Sequence, residues 1–240
     1  MSSVRGDVAQ RSIQGTSMAA MKEMLGSGIY TVREAASYAR VSTQLMSRWI
    51  FGNKKHRSVI DPQFRTDEKL VSFLDLVQTL AIKEIRLQRR IPLLKVRQAI
   101  KTAREVYQMS YPFARKHVTF LLGDELVIHP CEGSYVEASG QHAGQPLLSF
   151  VEEYVEDLTF DSSGLASKYK IFALNGVDIQ MSPKFHFGEP LLPSNYSARS
   201  IWESVKAEGS IERTAQVYGI PITEVQAAYR FFLDIQGKAA

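Results

Sequence analysis

The sequence predicts an α+β protein, mostly α, built in three parts. Apolar residues recur at helical spacing from Tyr30 to about Met109. Short strand-like runs with turn signals between them occupy the stretch from His117 to Ile179. Helical spacing returns after Pro183. The expected divisions are a tail at 1–24, a helical unit at 25–110, a β-containing linker domain at 111–182 and a helical domain at 183–240.

The opening segment is rich in Ser, Gln, Gly and Met with little periodicity, the texture of a mobile tail. Thr31 is placed to cap a helix, and Glu34 three residues later completes a capping box. Val32, Ala35, Ala36 and Ala39 form an apolar stripe whose small alanines let a second helix pack close. Arg40-Val41-Ser42 makes the turn, and Ser42 or Thr43 caps the next helix. There Leu45 and Trp49 face inward, which leaves Gln44, Ser47 and Arg48 outside. Residues 51–65 read as a turn and a short extended segment, with Lys54, Lys55, His56 and Arg57 in one basic cluster beside Gly52-Asn53. Thr66 to Ile91 reads as a helix with Leu70, Phe73, Leu74, Val77 and Leu80 on one side. Pro92 interrupts it and can begin another helix, running to about Met109 on Leu94, Val96, Ile100 and Ala103.

In the central part, His117–Leu122 and Glu125–His129 flank the turn signal Gly123-Asp124. Ser149–Phe160 and Lys168–Ala173 are further strand candidates, Glu132–Pro146 is loop-like, and Asn175-Gly176 is a hairpin turn signal. Three helices are expected at 198–208, 210–218 and 222–236, separated by Gly209 and by Gly219-Ile220-Pro221. Thr214, Ala215 and Val217 should face Val225, Ala228 and Phe232 across the last pair.

Composition excludes several classes. At 45% apolar the chain can bury real cores, so wholesale disorder is not expected. No run approaches a membrane span, and the first residues lack the apolar core of a signal peptide. The one cysteine, Cys131, rules out an internal disulfide framework and a tetrathiolate zinc site. A cytoplasmic location is therefore expected, without metal or cofactor. His129 and Cys131 would share a strand face, with His117 and His142 nearby, but no orienting partner or phosphate loop accompanies them. A small buried thiol is the better reading, His186 reads as packed between Phe185 and Phe187, and no enzyme is expected.

The net charge of +4 hides an asymmetry. Residues 1–110 hold 19 Lys and Arg against 9 Asp and Glu, or +10, and the remainder hold 10 against 16, or −6. A basic module pairs with phosphate; the alternative is a solvated basic face. The pattern around residues 30–57 matches a winged helix-turn-helix. Gln44 and Arg48 have the chemistry to read adenine and guanine edges, and Ser47 is small enough to admit the groove. The Lys54–Arg57 cluster would lie over phosphates as a wing. The C-terminal helical pair carries positive charge only at Arg213, Arg230 and Lys238, which favours protein contact or dimerisation over phosphate.

The run YTVREAASYARVSTQLMSRWI resembles the DNA-binding domain of MerR-like regulators, and FLDLVQTLAIKEIRLQRRIPLLKVRQAI resembles their next helices. The resemblance implies that Thr43, Gln44, Ser47 and Arg48 enter the major groove of double-stranded operator DNA and that Asn53–Arg57 form the wing. That family's metal-binding cysteines are absent, so metal sensing is not implied. Residues 181–232 resemble the small helical domain of VapB-like antitoxins, with Phe187-Gly188-Glu189-Pro190 matching its short start and Ile211–Phe232 its helix-turn-helix. Together these imply an antitoxin-like transcriptional repressor of a type II toxin–antitoxin system, a homodimer that binds its operator and a PIN-type ribonuclease toxin. Two alternatives stay open: an effector-responsive MerR-like regulator with a ligand site in the central β region, and a structural interaction module without DNA binding.

Overall fold

The computed structural model describes residues 26–64, 68–88, 90–116, 120–122, 125–131, 134–137 and 156–237. The expected tail, the Gly123-Asp124 turn, the strand start at 149–155 and the side chains of His117, His129, Cys131 and His142 lie outside the described residues. The architecture is mixed α+β, with seven α-helices and three small antiparallel sheets among the described residues.

The N-terminal part runs β1 (Tyr30–Thr31), α1 (Val32–Ala39), α2 (Thr43–Phe51), β2 (Leu70–Val71), α3 (Phe73–Lys83) and α4 (Leu93–Glu105). Its centre is α3, on which Phe73, Leu76, Val77, Leu80, Ala81 and Ile82 are all buried. A helix buried on nearly every side, its polar Asp75, Gln78 and Thr79 included, must be wrapped by other elements. Here α1 and α2 wrap it together with the 3-10 turn Pro112–Ala114. Ser72 caps α3 in a capping box with Asp75.

The structure departs from the sequence expectation at four places here. The stretch read as helix from Thr66 instead gives β2, whose Val71 and Leu70 pair antiparallel with Tyr30 and Thr31. The extended segment expected within 51–65 forms no strand among the described residues. The helix after Pro92 ends at Glu105, short of Met109, and Leu94 is 65% exposed rather than a core position. Between α3 and α4, Glu84–Gln88 form a π-turn. That wider turn shifts the phase of the apolar stripe and leaves Leu87 exposed.

A second sheet is formed by β3 (Phe120–Leu122), β4 (Glu125–Cys131) and β5 (Ser134–Glu137) in that order. The third holds β6 (Leu158–Phe160), β7 (Ala166–Leu174) and β8 (Val177–Met181). Asn175 and Gly176, both at positive φ, turn β7 into β8 with Leu174 opposite Val177, as the mirror-image hairpin turn requires. The C-terminal helices are α5 (Ala198–Glu208), α6 (Ile211–Tyr218) and α7 (Ile222–Gly237). α7 joins sheet to helices: Phe231 meets Phe172 of β7 at 5.5 Å and Phe232 stacks on Trp202 of α5 at 5.0 Å. Thr214 and Ala215 are buried as expected, but Val217 is 64% exposed and His186 also faces outward.

One cluster of buried side chains extends from Tyr30 to Phe232 through both helical parts. The join is specific. Tyr30 Oη donates to the Gly188 carbonyl at 2.8 Å, and the Ile29 N–H donates to the Phe187 carbonyl at 2.9 Å. Arg199 of α5 lies 3.7 Å from Glu34, the residue that completes the cap of α1.

Candidate nucleic-acid interface

The candidate surface is the pair α1–α2 and the basic tip that follows it. α1 starts where the sequence places it. Glu34 N–H donates to Thr31 Oγ1 at 3.2 Å, while Thr31 N–H donates to Glu34 Oε2 at 3.1 Å. Ala35, Ala36 and Ala39 are fully buried, so the two helices approach without large side chains between them. Arg40 ends α1 in the left-handed conformation, and the Val41 N–H bonds back to the Ala36 carbonyl at 3.0 Å. Of the two candidate caps for α2, Ser42 is the one used: its Oγ accepts from the Leu45 N–H at 3.2 Å.

α2 has a firm back and an open front. Met46, Trp49 and Ile50 are buried to within 1% on the core side. Leu45, expected inside, is half-buried, and Met46 takes the inner position. Thr43, Gln44 and Arg48 are exposed and Ser47 is half-buried. Gln44 and Arg48 lie one helical turn apart, so both point from one face. Neither side chain has a hydrogen-bonding or ionic partner among the described residues. Such a face is chemically free to offer an amide and a guanidinium to a ligand.

The tip begins at Gly52, whose φ of +69 favours glycine. A Cβ there would lie 2.7 Å from the Ser58 nitrogen and 2.8 Å from the His56 oxygen, both backbone atoms. Asn53 then organises the turn. Its Oδ1 accepts from the N–H groups of Lys55 at 2.9 Å and His56 at 2.7 Å. Asn53 thus serves the shape of the tip, while Lys54, Lys55, His56 and Arg57 are all exposed on it. The Val59 N–H returns the chain to α2 by donating to the Trp49 carbonyl at 2.7 Å. Gly52→Ala should therefore destabilise the protein by about 1–3 kcal/mol through backbone strain and speed tryptic cleavage after Lys54 and Lys55. Urea denaturation and timed digestion check it; an unchanged midpoint together with unchanged digestion would contradict the geometry.

Sequence reasoning missed the residues that brace this surface. Lys83 of α3 donates from Nζ to the Ala39 carbonyl at 3.2 Å, at the end of α1. Arg97 of α4 bonds the carbonyls of Arg57 and Ser58. Arg104 pairs with Asp61, and Lys101 lies 3.8 Å from Glu105. Part of the basic surplus of residues 1–110 is thus engaged within the protein. Spacing along the helix can suggest the Lys101–Glu105 pair, but no spacing rule could reveal the partners of Lys83 and Arg97, which are carbonyls some 40 residues away in the chain.

Among the described residues no group of His, Cys, Asp and Glu could hold a metal ion, and no helix is long and apolar enough to cross a membrane. No known protein family matches the chain, and no curated protein matches it. Among solved structures, the chain is similar to Rv2018 from Mycobacterium tuberculosis, known from X-ray crystallography. The TM-score is 0.57 at 16% identity, over 83% of this chain and 95% of that one. At that identity the likeness speaks to the fold alone, and it spans all three parts of the chain.

Proposed function

We propose that this chain binds double-stranded operator DNA through α1 and α2 as a winged helix-turn-helix. α2 enters the major groove, where Thr43, Gln44, Ser47 and Arg48 face base edges, and the tip at Lys54–Arg57 lies over flanking phosphates. The observation that carries this reading is the outer face of α2. Gln44 and Arg48 stand exposed and unpartnered above a back buried to within 1%. A recognition helix needs that combination, because base readout fails if the helix can rock on its support.

The regulatory role follows from the sequence resemblance. On this reading the chain is an antitoxin-like repressor that acts as a homodimer and neutralises a PIN-type ribonuclease toxin through its C-terminal helices. Val217, Ile222 and Leu233 supply exposed apolar surface on α6 and α7 for a protein contact.

The test is fluorescence anisotropy on a duplex from upstream of the chain's own gene, across a salt series. Arg48→Ala should cost about 1–3 kcal/mol and relax sequence preference, whereas Lys54→Ala should lower the salt slope by about 1 with preference intact. Equal operator affinity for the Arg48 variant would overturn the assignment of α2. Inhibition of a co-encoded ribonuclease by the purified chain tests the second half. Release of DNA by a small molecule, with no protein partner needed, would instead favour an effector-responsive regulator.

A further inference from the structure

Arg97 belongs to α4, yet its guanidinium holds the exit of the basic tip. Nε donates to the Ser58 carbonyl at 3.0 Å and a terminal nitrogen donates to the Arg57 carbonyl at 2.8 Å. One planar fork on two consecutive carbonyls fixes the direction of the backbone as well as its position, because its donors are rigidly disposed. Seven residues on, and so on the same face of α4, Arg104 pairs with the Asp61 carboxylate. α4 thus grips the segment leaving the tip at Arg57, Ser58 and Asp61. From the other side the Trp49 carbonyl of α2 accepts from the Val59 N–H at 2.7 Å and the Ile60 N–H at 3.3 Å. The segment is clamped between the two helices, with Lys54, Lys55 and His56 projecting beyond the clamp.

We infer that Arg97 is a positioning residue for DNA, holding the tip in the shape that brings Lys54, Lys55 and Arg57 onto phosphates. The inference rests on the reading of α2 and the tip as a DNA interface. Adjacent like charges repel, and an unbraced loop carrying them would sample many shapes. Ordering such a loop on binding subtracts from affinity, whereas a tip already braced presents its charges together. Arg97 was among the cations that suggested phosphate binding, but its role is one step removed: two of its donors are engaged by carbonyls of the loop that meets the phosphates.

The full chain serves for the test, with Arg97→Ala and the milder Arg97→Lys, which keeps the charge but not the fork. Two readouts are needed: tryptic cleavage after Lys54, Lys55 and Arg57 followed by mass spectrometry, and the salt dependence of binding to the upstream duplex. Arg97→Ala should accelerate cleavage at the tip about tenfold, with Arg97→Lys intermediate. The slope of log affinity against log salt should fall by about one to three units, at about 0.9 per phosphate contact. The discrimination that Arg48 confers between operator and base-substituted duplex should persist, and the thermal midpoint should stay near that of the parent. A purely structural role predicts a lowered midpoint and loss of slope and discrimination together, and that result overturns the inference. Unchanged tip cleavage overturns the brace whatever happens with DNA. Faster cleavage with an unchanged slope overturns the link from brace to phosphate. If the parent chain fails to bind the duplex at low salt, the DNA reading falls and this role with it, while cleavage still reports the brace by itself.

Discussion

Gly188→Ala is expected to destabilise the protein by about 2–5 kcal/mol, the sum of a left-handed penalty of about 1–2 and an overpacking cost of about 1–3. Gly188 sits at φ +85, and a Cβ there would lie 2.2 Å from Tyr30 Oη and 2.9 Å from Tyr30 Cζ. Tyr30 cannot swing away, since it is 2% exposed and packs edge-on against Tyr38 with ring centres 5.9 Å apart. The phenol also donates to the Gly188 carbonyl, so the new methyl both clashes and breaks that bond. His186 and Phe187 precede it at φ +44 and +53, so three consecutive residues are left-handed. They turn the chain tightly enough for the Phe187 carbonyl to accept from Ile29. Thermal unfolding reads the effect as a Tm lowered by roughly 5–15 °C. Tyr30→Phe alone should cost about 1–3 kcal/mol, by leaving a buried carbonyl unpaired. The double variant should cost less than the sum, because the missing hydroxyl makes room for the methyl. A Gly188→Ala protein within 1 kcal/mol of the parent would mean that the two helical parts do not meet at Tyr30. The join matters for function, because α1 begins two residues after Tyr30. Whatever holds Tyr30 therefore holds the start of the helix pair proposed to face DNA.

What could be read from the chain beforehand was local. Thr31 with Glu34, the alanine stripe, Ser42, the Asn175-Gly176 hairpin and the three C-terminal helices each depend on residues within a few positions of one another. Local chemistry selects them, and the tertiary structure agrees. The outward set on α2 was legible for the same reason, since Gln44 and Arg48 lie one helical turn apart while Trp49, five and one residues from them, falls on another face. The rest depended on partners far off in sequence. Leu70-Val71 reads as part of a helical stripe, because nothing in its own neighbourhood reveals that Tyr30-Thr31 offers a strand edge. Leu94 fits the spacing of its helix but falls in the first turn after Pro92, on the solvent side. Val217 has the right composition for a core, yet α6 turns that position outward and buries Thr214 and Ala215 instead. Arg97 and Lys83 counted as free charge until their carbonyl partners came into view. Asx geometry at the tip likewise gives Asn53, placed by its sequence in the expected wing, a part in shaping the turn.

The second large effect concerns Asp75, a carboxylate in the most buried helix. Burial pushes its carboxyl from the ordinary 3.8 up to about 6, against the opposing pull of the Gln63 and Ser72 N–H groups at 3.1 and 3.2 Å. Both of those donors reach Oδ2, and Oδ1 is buried with no partner among the described residues. Between pH 4 and 6 the unfolded chain has lost this proton while the folded chain keeps it. Stability attributable to Asp75 is thus fully present below about pH 4 and is lost as pH rises through 6. A shift of about 2 units corresponds to roughly 3 kcal/mol. Exposed ion-paired carboxylates act in the opposite sense over the same range, so the parent curve alone does not isolate the residue. The comparison with Asp75→Asn does. Asparagine keeps an oxygen for the Gln63 and Ser72 donors but has no charge to bury. Urea denaturation at intervals from pH 4 to 7.5 should show the parent losing up to about 3 kcal/mol relative to the variant as pH rises. Parallel curves for the two proteins would show that Asp75 is far better solvated than its surroundings imply. The Gln63 N–H that Asp75 accepts lies on the segment leaving the basic tip, so Asp75→Leu should also loosen that segment. Faster tryptic cleavage in Asp75→Leu than in Asp75→Asn would separate the acceptor role of this side chain from its charge.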